Sequence, residues 1–380
     1  MFNQPIAPGS LPIHLTTLVL GQEYNQPFAL YSLPESLTNL DLGFTSFNHQ
    51  LLTGSLPTSL TSLSLGRYFN QPLLSGTFPS SLRSLVFGQD FNQSLTPVGG
   101  PHGLPHSLTS LIFGASFNQP IEDGTLTLPL LTYLMFGSHF NQALLPGSLP
   151  PSLTKIVLGF MFNQEVHPNS YPNTLKHMTF PRLISDRETW ANIPRSVQTI
   201  CTGAPIRWLD SQLRYLSDSI KHVKLQEWLH LFKFVMEPIT CRLETLSMTM
   251  IISPWRPSSY DGAIRQHVEK LLLMSPNVAN YRIKFFEISD LNRKCATLHL
   301  RRLNDISGWI MFKLYDKLER DSVPLPPQLR YVKTLYVTAN RPHEKLNEAI
   351  QGLPEYGHQY IEVDSLVNDI YSSFNWLIIM

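Results

Sequence analysis

The chain has 380 residues, 43% of them apolar, with 29 Lys and Arg against 28 Asp and Glu. That length and apolar share support one large or two ordinary buried cores and exclude wholesale disorder, and the near-neutral charge excludes the basic stripe of a nucleic-acid or anionic-membrane binder. Charged residues are 15% of the chain against about 25% in ordinary domains, so surface polarity must come from Ser, Thr, Asn and Gln.

The N-terminal MFNQPIAPGS has neither the basic nor the apolar segment of a secretion signal, and no apolar run reaches the ~18 residues a membrane helix needs. A cytoplasmic chain is expected. From residue 2 onward two combs run together. Leucines of an LTSL-like segment fall at Leu18, Leu40, Leu63, Leu85, Leu111 and Leu134, continued by Ile156 and Met178; an aromatic followed by Asn falls at Phe2, Tyr24, Phe47, Phe69, Phe91, Phe117, Phe140 and Phe162. Self-similarity at about 22 residues is the mark of a stacked repeat array.

The unit reads Leu-Pro-x-Ser-Leu-Thr-x-Leu-x-apolar-Gly-x-x-Phe-Asn-Gln-Pro. Leu111 and Phe113 alternate with Ser110 and Ile112, the period of a short strand with one face inward. Proline before the strand costs no ladder bond, and Gly88, Gly114 and Gly137 stand where the chain must turn sharply or pass close to its neighbour. Such strands cannot bury their inward faces alone. Stacked in parallel they share one core, as in a leucine-rich-repeat (LRR) solenoid. Asn92, Asn118 and Asn141 are expected to form a structural ladder that bonds backbone in the neighbouring rung, beside an inward aromatic spine. About 22 residues leave room on the convex side for loops or short 3₁₀ turns only.

The near-verbatim FNQPI, YNQPF, FNQPL and FNQPI over residues 1 to about 180 resemble the FNIP-repeat family, an LRR-like family of amoebae and of giant viruses that infect them. For a viral protein the resemblance implies the host cytoplasm. Many members carry an N-terminal F-box, which implies a substrate receptor of a ubiquitin ligase. Phe2-Asn3 already stands inside a repeat, so the expectation is a chain without an F-box, and a truncated relative of such a receptor is the alternative functional reading.

Beyond residue 181 the Phe-Asn signature stops while the leucine comb continues through Ile200, Val223 and Leu246. Residues 182–253 read as degenerate repeats of the same solenoid, with a new domain at 182 as the rival reading. Residues 254–380 read as a β-α region or cap, with helices at 259–274, 305–320, 343–350 and 364–377 alternating with strands at 281–288, 296–300, 330–337 and 359–363 in parallel β-α units. The expected fold is an α/β solenoid: an LRR-like parallel β-sheet of about-22-residue repeats over 1–181, degenerate over 182–253, with helix-containing C-terminal turns or a cap.

No phosphate-binding, nucleophile-elbow or metal-protease motif occurs, and Cys201, Cys241 and Cys295 fit neither a zinc spacing nor a disulfide framework. No catalytic, metal or cofactor residues are expected. The outward strand positions carry more information. Val86, Ile112, Met135 and Val157 stand on four successive rungs, flanked by Tyr133, Lys155 and His177. This is the expected binding strip for an unidentified protein partner on the concave face, with no nucleic acid or membrane involved. The same side chains also suit strand propensity alone, or a strip covered by the C-terminal region; both readings stay open at this point.

Overall fold

The computed structural model describes residues 2–96, 103–180, 192–203, 219–230, 242–252, 278–288, 293–302, 307–315 and 332–338. The chain forms two compact units, Met1–Cys201 and Thr202–Met380. The limit between them falls inside the stretch read from the sequence as degenerate rungs.

The first unit is a parallel β-solenoid. Its strands are β1 (Thr17–Val19), β2 (Asn39–Asp41), β3 (Ser62–Ser64), β4 (Ser84–Val86), β5 (Ser110–Ile112), β6 (Tyr133–Met135), β7 (Lys155–Val157), β8 (His177–Phe180) and β9 (Thr199–Thr202). From β1 to β8 each strand pairs in parallel with the next, and the comb leucines are register partners: Leu18 with Leu40, Leu85 with Leu111, Ile156 with Met178. Gln198 and Thr199 bring β9 onto β8 by donating their N–H groups to Lys176 O at 2.9 and 3.1 Å.

Three β-turns bring each coil back to its starting point. The first runs from the glycine after the strand to the aromatic, as in Phe117 N to Gly114 O at 3.4 Å and Phe140 N to Gly137 O at 3.2 Å. The second places a left-handed residue third: Gly54, Gly76, Gly124 and Gly147 have φ of 74° to 87°, and proline stands second in the Pro146 and Pro168 turns, the chemistry of a type II turn. The third opens on the Leu-Pro step, as in Leu108 N to Pro105 O at 3.1 Å. No helix occurs among the described residues of this unit, so three turns and a three-residue strand suffice for about 22 residues.

Inward positions stack in columns along the solenoid axis. Leu111 and Phe117 are fully buried, and Phe113, Ile121, Leu104 and Leu108 are buried beside them. The Phe-Asn aromatics form a continuous stack from Phe47 to Phe162, with adjacent ring centroids about 6 Å apart, for example Phe91 to Phe117 at 6.1 Å and Phe117 to Phe140 at 6.1 Å; Phe2 stacks on Tyr24 at 6.0 Å, and Phe28 bridges Tyr24 and Phe47 at 5.8 and 5.3 Å. A second aromatic column lies against it in three rungs, where Phe87, Phe113 and Phe136 stack on Phe91, Phe117 and Phe140 at 3.9, 4.0 and 3.8 Å. Offset stacking of this kind adds about 0.5–1.5 kcal/mol per pair beyond area burial. The recurrent glycine is required by close approach: a Cβ at Gly88, Gly114 or Gly137 would collide with the carbonyl oxygen of the corresponding glycine one rung earlier.

The second unit has longer strands, β10 (His222–His230), β11 (Leu243–Ile252), β12 (Val278–Ile288), β13 (Arg293–Arg302), β14 (Ser307–Tyr315) and β15 (Val332–Thr338). β10, β11 and β12 pair in parallel, with Val223 opposite Leu246 and Leu246 opposite Tyr281. All three are buried, and the exposed Lys224, Glu244 and Arg282 alternate with the buried column. β12 to β15 pair antiparallel. This corrects two expectations. Residues 307–315 are a strand, not part of a helix over 305–320, and the C-terminal strands are not parallel β-α units. The reason is chain length: β12 and β13 are separated by four residues, 289–292, and β13 and β14 by another four, 303–306, whereas a parallel crossover needs a dozen or more. An apolar run such as GWIMFKLY is ambiguous between helix and buried strand by periodicity alone. The helices expected at 259–274, 343–350 and 364–377, and the strand at 359–363, lie outside the described residues.

Candidate interaction face

Two outward columns flank the buried comb leucines. One runs Thr17, Asn39, Ser62, Ser84, Ser110, Tyr133, Lys155, His177; the other runs Val19, Asp41, Ser64, Val86, Ile112, Met135, Val157, Thr179. Strands are about 4.8 Å apart in a ladder, so Val86, Ile112, Met135 and Val157 form one contiguous apolar strip. Each of the four is half-buried, as is Tyr133, while Lys155 and His177 are exposed.

Three of these residues come into direct contact. Lys155 Nζ lies 4.8 Å from the centroid of the Tyr133 ring, and Tyr133 Oη donates to Met135 Sδ at 3.5 Å. A cation over an aromatic face contributes about 0.5–1 kcal/mol where exposed. Burial pushes the Tyr133 hydroxyl above its ordinary pKa, which keeps it protonated and able to donate. The outward columns carry one carboxylate, Asp41, whose Oδ1 accepts the Gly43 N–H at 2.8 Å.

The asparagines form a side-chain-to-backbone ladder. Asn92 N donates to Asn70 Oδ1, Asn118 N to Asn92 Oδ1 and Asn141 N to Asn118 Oδ1, each at 2.9 Å. The following glutamine doubles each of these rungs: Gln93 Nε2 reaches Asn70 O and Oδ1 at 3.2 and 3.0 Å, Gln119 Nε2 reaches Asn92 O and Oδ1 at 3.1 and 3.0 Å, and Gln142 Nε2 reaches Asn118 O and Oδ1 at 3.1 and 3.2 Å. Asn118 is half-buried, because the bonds run along the axis and leave one edge of the amide in solvent.

Two further ladders went unrecognised in the sequence, although Ser-Leu-Thr is spelled out at 36–38, 59–61, 107–109 and 152–154. The serine hydroxyl bonds the preceding rung, as in Ser107 to Leu82 O at 2.6 Å and Ser152 to Leu131 O at 2.8 Å. The threonine before each strand donates Oγ1 to its counterpart one rung back: Thr61 to Thr38 O at 3.0 Å, Thr132 to Thr109 O and Thr154 to Thr132 O at 3.1 Å.

Coil, ladder and columns together define a parallel solenoid of the leucine-rich-repeat type. The FNIP Repeat family model matches seven overlapping segments, 2–45, 24–68, 47–90, 69–116, 91–139, 117–161 and 140–182, and over residues 2–182 this chain is a FNIP-repeat protein. Among solved structures it is similar to CroV588, described as a novel circular LRR protein, at 28% identity and a TM-score of 0.47 over 66% of this chain. The chain spans 42% of the length of that protein. It is also similar to an internalin from Listeria monocytogenes, at 16% identity and a TM-score of 0.42, over 66% of this chain and 78% of the other. No protein of curated function matches the sequence. Among the described residues no helix is long and apolar enough to cross a membrane.

Proposed function

We propose that this chain is a non-enzymatic cytoplasmic scaffold that binds another protein on the concave face. Val86, Ile112, Met135 and Val157 form the contact strip, and Tyr133, Lys155 and His177 flank it. The observation that carries the reading is the change in the second outward column between rungs. Asp41 and Ser64 give way to four consecutive apolar side chains, while the comb leucines between the two outward columns, Leu40, Leu63, Leu85, Leu111 and Leu134, continue unchanged.

Strand propensity does not account for the change. β2 and β3 form the same three-residue strands with Asn-Leu-Asp and Ser-Leu-Ser, so the fold has no need of branched residues there, and Met135 is not one. Half-buried apolar area along a solenoid face, beside an aromatic residue, is the usual composition of a protein-binding patch.

Position-specific photo-crosslinking tests the reading. A benzophenone amino acid at 112 should capture a discrete partner from a cell extract, and the same probe at 145, on a turn of another side, should not. Ile112→Asp with Met135→Asp should abolish capture while circular dichroism and melting stay close to wild type. Equal capture at both positions, or capture that survives the double variant, overturns the concave-face reading.

A further inference from the structure

The partner's chemistry can be narrowed from the charges around the strip. We infer that the concave face from β4 to β8 takes an acidic, extended peptide segment bearing an aliphatic side chain; this rests on the interaction reading above and adds the class of ligand. The position before each strand is the threonine ladder, in which every hydroxyl bonds the rung behind. Two rungs abandon that bond for a cation, Arg83 and Lys176, and both side chains are exposed. A third departure, Gln198, is neutral.

Lys155 adds a third cation. Its ammonium group is held over Tyr133, which fixes its position without neutralising its charge, and His177 stands beside it on the next strand. No carboxylate occupies either outward column or the pre-strand position from β4 to β9. The whole chain carries 29 cationic against 28 acidic side chains, so this face is a local departure from balance. Complementary charge steers encounter and rejects wrong partners. A nucleic acid would need more cations than these, and has no use for an aliphatic strip. A carboxylate-rich peptide with one apolar residue for the Ile112 and Met135 stretch satisfies both features.

The test is panning of a random dodecapeptide phage library on the full chain, followed by fluorescence polarisation with the selected synthetic peptides. The expected winners are rich in Asp and Glu around a Leu, Ile or Val. Their affinity should fall at least about tenfold in Lys155→Glu with Lys176→Glu, and fall again as salt is raised. Lys155→Gln with Lys176→Gln replaces the reversal if that variant misfolds. Winners lost in Ile112→Asp with Met135→Asp, but without acidic bias and indifferent to the lysine changes, overturn the acidic ligand and leave the concave face standing. Winners indifferent to Ile112→Asp with Met135→Asp overturn both readings. An empty selection overturns the peptide class, as does tight binding of a single-stranded oligonucleotide that the lysine reversal abolishes.

Discussion

The two units make sheets by different means. In the first, strands of three or four residues are enough, because hydrogen bonds that involve side chains tie one rung to the next alongside the strand pairing and the buried columns. From β6 to β7 four such bonds accompany the strand pairing: Ser152 to Leu131 O, Thr154 to Thr132 O, Asn163 N to Asn141 Oδ1, and Gln164 to Asn141 Oδ1. In the second unit, strands of seven to eleven residues pair through main chain over most of their length. Its described side chains contribute Asn280 Nδ2 to Glu244 O at 2.8 Å and Lys221 to Glu244 at 2.8 Å. The Ser, Thr, Asn and Gln letters of the repeat signature therefore describe the ladders of the first unit.

The largest expected break in that contrast is Phe117→Ala. The ring is fully buried and stacks on Phe91, Phe113 and Phe140, so truncation should cost about 3–5 kcal/mol in urea unfolding. Solenoid stability is nearly a sum of neighbour terms, so hydrogen exchange should rise in the rungs on either side of 117 and not in β11 or β12. Uniform loss of protection in both units would refute separate cohesion. Gly114→Ala comes next, at about 2–3 kcal/mol, because the new methyl meets backbone that cannot swing aside. Gly21→Ala is the control, since nothing lies within 4 Å of a Cβ there, and equal costs would remove close approach as the reason for the glycine column. Asn118→Ala leaves Asn141 N–H without its acceptor and takes one of two acceptors from the Gln142 amide, for about 1–3 kcal/mol. Asn280→Ala in the second unit removes one exposed bond and should cost no more than about 0.5–1 kcal/mol. If the two asparagine variants match, the ladder is not what distinguishes the units.

The sequence made the coil legible because each repeated letter has one physical task that recurs at a fixed spacing. Leu111, Gly114, Phe117 and Asn118 could be placed from spacing alone. The serine and threonine ladders escaped because Ser and Thr are common at any surface, and their bonds at a separation of 21 to 26 residues exist only once the coil is closed. Residues 307–315 were misread because an aromatic-rich apolar run lacks a period that separates helix from strand; the four-residue gap before it, 303–306, was the better guide. In the outward strand columns, the positions of Tyr133, Met135 and Lys155 followed from the register, whereas their mutual contact did not. A cation over a ring depends on rotamers that no spacing rule specifies.

The smallest effect sharpens the contrast inside the aromatic column itself. Tyr24 stands where Phe47, Phe69, Phe91 and Phe117 stand in later rungs. It is fully buried, stacked 6.0 Å from Phe2 and 5.8 Å from Phe28, and its Oη is buried without a hydrogen-bond partner. Burial pushes its hydroxyl up to about 12 from the ordinary 10.0. Tyr24→Phe should therefore leave stability at pH 7 unchanged or raise it by up to about 1 kcal/mol, since it removes an unsatisfied polar atom and keeps the ring. The pH dependence has a definite sign. A group whose pKa is higher folded than unfolded favours the fold below the unfolded value and loses that contribution as pH rises through the folded one. Between pH 10 and 12 the unfolded chain releases the Tyr24 proton while the folded chain retains it. Wild type should lose stability across that window faster than Tyr24→Phe, so the urea midpoints of the two proteins should diverge with pH. Midpoints that stay parallel would mean the hydroxyl reaches solvent. A loss of more than about 1 kcal/mol at pH 7 would mean it has a partner, and the one tyrosine of the column would then be tied into the rung by a bond that its phenylalanine counterparts cannot make.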